Sequence, residues 1–456
     1  MARPPRAVFV TLAAGAALAG LVGAAQAVPA SPRNVTSGTA GTAAPVVLAA
    51  ARAEGVAPTA AGVQKALAAA LADPSLGKHY GATVFDASRN KTLYSVGTTR
   101  PYVPASTLKL LTTVSALETL GPDHEFTTST VLSGSSLILV GGGDPLLTVK
   151  RSKDPLDFPV RATLQDLATS TAKALRVQGV STVTLSYDAS LFSGPAANAK
   201  WEANYIPEGI AAPTSALWVN EGRLSPGMAK RAPSPAAAAA TSFAALLRTA
   251  GIKLNAGVKP LQAPETAKPI ATVRSAPVGD IVEYVNLHSD NDGAEVLLRH
   301  VGLATDNGGS YTGGLKGLRA TLTKLGLDVS KARIEDGSGL SRTNQVPLDV
   351  LAGAVRVAVS KPELRHLISG LPVAGFTGSL EKRFAGPGTA GGTGLVRAKT
   401  GTLTGVHSLA GLVRTRTGSL LVFAVATDAV PADKPLEARA ALDRAVAALA
   451  GCGCAV

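Results

Sequence analysis

Apolar residues recur every three to four positions over 60–72, a spacing that predicts an amphipathic helix. Thr59 stands ready to cap it, and Asp73-Pro74 ends it. A hairpin is predicted next, with strands at 82–86 and 92–96 joined through Ala87-Ser88-Arg89-Asn90. Pro104-Ala105-Ser106 then leads into a long apolar helix whose core positions are Leu108, Leu111, Val114, Ala116 and Leu117. Gly121-Pro122 terminates that helix.

The pattern changes between 127 and about 276. Short strands at 137–140 and 180–187 bracket a helix at 163–177, Pro-rich turns follow, and a second helix covers 236–249. Helical spacing returns at 280–287, 292–303, 314–325 and 348–359. The chain then predicts three antiparallel strands, at 395–399, 408–414 and 420–426, and a last helix at 435–449. Helix, hairpin, long insertion, helices, strands and helix make an α+β chain, an antiparallel sheet flanked by helices from both ends of the sequence, with a large inserted domain. The expected organisation is an export signal at 1–27, a flexible linker at 28–50, a first part of the main domain at 51–126, the insertion at 127–276, the second part at 277–450, and a tail at 451–456.

With 456 residues, 46% hydrophobic and 16% charged, the chain has ample material for packed cores and is not of disordered composition. The two cysteines, Cys452 and Cys454, exclude a disulfide scaffold and a zinc ribbon, and the six histidines form no HExxH pair. A metalloprotease is therefore not expected. A net charge of +13 suits an anionic partner. Nucleic acid is not that partner, because no dense basic run or aromatic platform is present. Arg3 and Arg6, the apolar stretch 7–25 and Ala25-Gln26-Ala27 read as a cleavable signal, the alternative being an uncleaved membrane anchor, so the protein is expected outside the cytoplasmic membrane. Cys452-Gly453-Cys454 reads as a disordered tail, with a spacing too tight for an easy disulfide.

Ser-x-x-Lys places a lysine one helical turn from a serine, where a neutral amine can take the hydroxyl proton. The pattern occurs at Ser75/Lys78, Ser88/Lys91, Ser106/Lys109, Ser170/Lys173 and Ser379/Lys382. Only Ser106 opens a long apolar helix, where free N–H groups and the helix dipole favour an oxyanion and burial lowers the Lys109 pKa. Ser289-Asp290-Asn291 offers a hydroxyl and an amide two positions apart on a turn; taken alone it is equally a helix N-cap, with Asn291 as the capping residue. Lys399-Thr400-Gly401, followed by Thr402, ends a strand. It reads as a carboxylate-binding edge that Gly401 keeps open to a ligand, or, taken alone, as a turn with a solvated lysine.

In this order the three motifs match the set found in penicillin-binding proteins and β-lactamases. The chain resembles the low-molecular-mass, class C penicillin-binding proteins, which are D-alanyl-D-alanine carboxypeptidases and endopeptidases with a serine β-lactamase-like fold. The resemblance extends over about 55–450. Ser106 and Ser289 lie 183 positions apart, room for the family's insertion. Gly141-Gly142-Gly143-Asp144-Pro145 resembles part of that insertion, and Asp336-Gly337-Ser338-Gly339-Leu340-Ser341-Arg342 resembles a loop beside the family's active site.

The resemblance implies Ser106 as nucleophile, Lys109 as its base and Ser289 as proton relay. It implies that Asn291 binds the substrate amide, that Lys399, Thr400 and Gly401 hold the terminal carboxylate, and that the N–H groups of Ser106 and Thr402 form the oxyanion hole. Leu340 and Arg342 would meet the stem peptide. The resemblance implies a mechanism that needs no metal and no organic cofactor; the partners implied are peptidoglycan stem peptides and, as covalent inhibitors, β-lactam antibiotics, and oligomeric state is left open. The alternatives are a β-lactamase or esterase of the same superfamily, or an inactive wall-binding protein.

Overall fold

The computed structural model describes residues 57–454 apart from Thr99, Pro226 and Ala256. The expected signal at 1–27 and linker at 28–50 lie outside the described residues.

The chain begins with α1 (Ala60–Leu71), the hairpin β1 (Tyr80–Asp86) and β2 (Lys91–Val96), the short β3 (Pro101–Tyr102) and α2 (Lys109–Leu120). A second group follows: β4 (Thr127–Ser133), β5 (Ser136–Val140), α3 (Leu164–Val177), β6 (Thr182–Asp188), α4 (Pro235–Thr249), β7 (Lys253–Leu254), β8 (Lys259–Pro260) and β9 (Lys268–Arg274). Then come α5 (Val278–His288), α6 (Asn291–Ala304), α7 (Tyr311–Lys324), β10 (Val346–Pro347), α8 (Leu348–Ser360) and α9 (Arg365–Ser369). The last elements are β11 (Val396–Leu403), β12 (Val406–Arg414), β13 (Leu420–Thr427) and α10 (Pro435–Gly451).

Five strands form an antiparallel sheet in the order β11-β12-β13-β1-β2. Both faces are covered, which explains the near-continuous apolar runs of β12 and β13. On β13 the side chains alternate between two cores. Val422, Ala424 and Ala426 join α2, α5, α6 and α8 on one face. Leu421, Phe423 and Val425 join α1 and α10 on the other. Helices from the two chain ends, α1 and α10, thus share one face of the sheet, and helices from the middle of the chain cover the other. β11 is an edge strand, and its outer side is where the site lies.

The second sheet runs β7-β6-β5-β4-β9, with β8 also pairing β6. β5 and β6 are parallel and connected through α3, whereas β4 pairs antiparallel with β5 and β9. Hydropathy does not reveal β4 or β9. β4 is rich in Thr and Ser, and β9 is a largely exposed edge containing Pro269. α3 and α4 cover one face around Phe243, Leu175 and Leu185.

The tail differs from its expectation. Cys452 and Cys454 are disulfide-bonded, their Cα atoms 4.9 Å apart and so within bonding range. The Cys454 carbonyl accepts the Thr59 N–H at 2.7 Å, and Cys454 is buried against α1.

Candidate active site

The nucleophile candidate is set by a strained turn. Ala105 has φ +47°, unfavourable for a residue with a Cβ, and it projects Ser106 from a 3-10 turn (Ala105–Leu108) directly ahead of α2. Three hydrogen bonds pin the Pro104 carbonyl before that turn. They come from Thr107 N at 3.3 Å, Thr107 Oγ1 at 2.6 Å and Ser408 Oγ at 2.6 Å. Two glycines let neighbouring backbone approach. A Cβ on Gly401 would sit 2.5 Å from the Pro104 oxygen and 2.1 Å from Ser408 Oγ. A Cβ on Gly339, at φ +85°, would sit 1.9 Å from the Ala105 oxygen. The close approach that Gly401 permits is therefore by the Pro104–Ala105 backbone, which locks the strand edge to the serine turn.

Lys109, one turn beyond Ser106, is fully buried. Its Nζ donates to Ser106 Oγ at 2.9 Å, Asn291 Oδ1 at 2.8 Å and Ser338 O at 2.7 Å. Burial lowers its pKa to about 8, against the opposing pull of Asp290, Glu295, Asp336 and Asp292. Ser289 caps α5 in the left-handed conformation, φ +56°. Its Oγ accepts from Lys399 Nζ at 2.8 Å. Lys399 also donates to the Thr400 carbonyl at 3.0 Å. Burial, and then the charge of Lys109, holds Lys399 well below the usual lysine range. The three motifs, on α2, the α5–α6 turn and β11, thus converge on one place.

Asn291 is not the cap of α6. Asp290 caps it, accepting from Asp292 N and Gly293 N, so Asn291 is the first helical residue. That frees its amide to bridge Lys109 and, through Nδ2, the Ile210 carbonyl at 3.0 Å. Thr400 Oγ1 donates to Ser379 Oγ at 2.8 Å, and Thr402 is exposed on the edge strand. Arg342 lies at the rim, donating to Glu202 at 2.8 Å and to the Thr404 carbonyl at 3.0 Å. Leu340 departs from its expectation: it is 6% exposed, packed with Tyr205 and Ala211, so it supports this wall instead of facing a peptide.

Several contributors escape the sequence reading. Glu295 is fully buried and accepts from Gly337 N at 3.1 Å and Ser338 N at 2.8 Å, which orients the Ser338 carbonyl onto Lys109. A carboxylate one turn beyond Asn291, amid Ala294, Val296, Leu297 and Leu298, was a legible signal. Ser379 carried none, since its Ser-x-x-Lys copy starts no helix. The segment 198–214 was equally silent, yet it closes the wall. Asn198 donates to Glu335 O at 2.6 Å, Trp201 Nε1 to Asp336 at 3.0 Å, and Ala212 N to Asp292 at 2.7 Å. Glu221, Asp290 and Asp292 bring carboxylates within 4.8 Å of one another. Arg231 reaches Asp292 at 2.6 Å and Glu221 at 3.7 Å, so a guanidinium already balances the group.

An activatable serine, two desolvated lysines and an edge strand with outward backbone groups make an arrangement for acyl transfer. The chain matches the D-Ala-D-Ala carboxypeptidase 3 (S13) family over residues 63–233 and 228–449. It is 34% identical over 407 residues to a carboxypeptidase of Mycobacterium tuberculosis, covering 87% of this chain and 85% of that one. It is 28% identical to a D-alanyl-D-alanine carboxypeptidase of an Actinomadura species, covering 84% of each. The crystal structure of penicillin binding protein 4 from Haemophilus influenzae superposes with a TM-score of 0.67 at 22% identity, covering 85% of this chain and 97% of that one, and shows the same fold.

Proposed function

The chain belongs to the D-Ala-D-Ala carboxypeptidase 3 (S13) family and is a serine D-Ala-D-Ala carboxypeptidase, and on that premise we propose that Ser106 is its acylated nucleophile and Lys109 the base. The observation that carries this reading is the 2.9 Å contact between Ser106 Oγ and a Lys109 amine whose pKa is drawn down to about 8. Neutral Lys109 takes the Oγ proton as Oγ bonds to the carbonyl carbon of the penultimate D-alanine. The N–H groups of Ser106 and Thr402 receive the oxyanion. The C–N bond then breaks, and the proton that Lys109 took is passed on through the Ser289 hydroxyl, which Lys399 orients at 2.8 Å, to the departing D-alanine nitrogen, leaving Lys109 neutral. Water hydrolyses the Ser106 ester, with Lys109 accepting the water proton and returning it to Ser106 Oγ as the ester bond breaks. Lys399 and the Thr400 hydroxyl hold the terminal carboxylate. Asn291 exchanges its Ile210 or Lys109 contact for the substrate amide, and Arg342 meets the stem peptide at the rim.

The substrates on this reading are peptidoglycan stem peptides outside the cytoplasmic membrane, reached after removal of residues 1–27, and β-lactams acylate the same serine. Cross-links are cut by the same steps when the departing amine belongs to a second stem. The test is intact mass spectrometry after brief exposure to benzylpenicillin. One stable adduct on the Ser106 peptide, absent from Ser106→Ala, is expected. Hydrolysis of the drug without an adduct would instead favour a β-lactamase, and an untouched drug an inactive wall-binding protein.

A further inference from the structure

Eleven large apolar side chains are exposed among the described residues, and five of them lie on just two segments. Leu156, Phe158 and Val160, exposed by 86%, 48% and 67%, stand on the strap 150–161 that follows β5. Leu224 and Met228, exposed by 52% and 45%, stand on the turn closed by the Arg223–Arg231 bridge. The two segments face each other across a cleft of about 790 Å³ backed by Pro235, Ala238 and Ser242 of α4. None of the residues placed in the active site lines it.

The charges beside this apolar rim are mostly positive and weakly engaged. Lys150, Lys153 and Lys230 are exposed and make no ion pair among the described residues. Arg151 reaches Asp166 only at 3.4 Å, whereas Arg161 is held back from the surface, 3.5 Å from Asp157 and lying over the Tyr284 ring. Asp154 and Asp157 are the acids of the strap itself. Apolar tips flanked by lysines and arginines suit a boundary with hydrocarbon on one side and anionic groups on the other. A wall polymer of sugars and peptides supplies the negative charge but little apolar material to bury Leu156 or Val160.

We propose that the strap 150–161 and the turn 223–231 form a docking surface for an anionic lipid bilayer. Leu156, Phe158, Val160 and Leu224 enter the headgroup boundary while Lys150, Arg151 and Lys153 meet lipid phosphates. This does not rest on the assignment of Ser106.

The test is co-sedimentation of the full chain with phosphatidylcholine vesicles with and without phosphatidylglycerol. Binding is expected to the anionic vesicles, to fall as salt rises, and to be much weaker to pure phosphatidylcholine. Each basic residue at such a surface changes affinity about fivefold, so Lys150→Glu with Lys153→Glu should lose at least about 25-fold. Leu156→Asp should lose binding as well. Phe158→Trp should move its emission to shorter wavelength on the anionic vesicles, a readout independent of any destabilised variant. Each variant should keep the wild-type rate on a soluble D-Ala-D-Ala peptide, which shows that it is folded. The proposal is overturned if wild type ignores the anionic vesicles, or if the charge-reversed chain binds them equally. It is also overturned if only isolated wall is bound, or if the apolar rim closes a dimer that Leu156→Asp disperses.

Discussion

Gly401→Ala is the smallest change that should separate stability from chemistry in this protein. The added methyl would lie 2.1 Å from Ser408 Oγ, 2.5 Å from the Pro104 oxygen and 3.2 Å from Ala105 Cβ. Ordinary carbon–oxygen contact needs roughly 1 Å more than the Pro104 approach provides. Ser408 can rotate away, but the Pro104 carbonyl is backbone, held by three donors. The strand and the serine turn must therefore part by about that distance. Overpacking of this kind costs about 1–3 kcal/mol. Spread over a chain of this size it lowers Tm by only about 1–4 °C. The same displacement moves Ser106 relative to Thr402 and Lys399, and a shift of about 1 Å in reacting groups can cost about 100-fold in rate. The assay is the rate of acylation by a fluorescent penicillin, with Tm measured on the same samples. An acylation rate within about threefold of wild type would refute the claim that Gly401 sets the position of the serine turn.

Other outcomes follow from the same geometry. Acylation should rise nearly tenfold per pH unit toward pH 8 and then level off, because the base must be neutral and burial sets its pKa at about 8. At pH 7 about a tenth of the molecules then carry neutral Lys109; a rate that is flat or falls between about pH 6 and 8 would count against Lys109 as base. Ser379→Ala removes the partner of the Thr400 hydroxyl, so KM for a D-Ala-D-Ala peptide should change by up to about fivefold, with kcat within about twofold of wild type. Equal loss in both parameters would place Ser379 elsewhere in the reaction. Glu295→Ala leaves the buried N–H groups of Gly337 and Ser338 without their acceptor, at a cost of about 1–3 kcal/mol in unfolding free energy by denaturant titration. It should also slow acylation by loosening the Ser338 carbonyl from Lys109. An unchanged acylation rate in a destabilised protein would reduce Glu295 to a packing role.

Much of this was legible because it is local. A period of 3.6 marks α2, α6 and α8, short near-continuous apolar runs mark β12 and β13, and a serine three residues from a lysine at a helix start describes itself without reference to any distant residue. The order of the three motifs was written in the chain for the same reason. What local pattern leaves open is anything two remote segments decide together. Whether Asn291 caps a helix or faces a lysine depends on Asp290 winning the cap and on Ile210 arriving from 81 positions away. Leu340 looks like a ligand contact until Tyr205 and Ala211 cover it. Cys452 and Cys454 look like a loose tail until Thr59 gives them a place to dock. Thr/Ser-rich β4 and exposed β9 become strands through their partners, because edge and polar strands bury too little to show in hydropathy. The low pKa of Lys109 is likewise no property of Ser-x-x-Lys. It arises because α5, α6, the 336–341 loop and the edge of β11 close around one amine and keep water away from it, and only the folded chain does that.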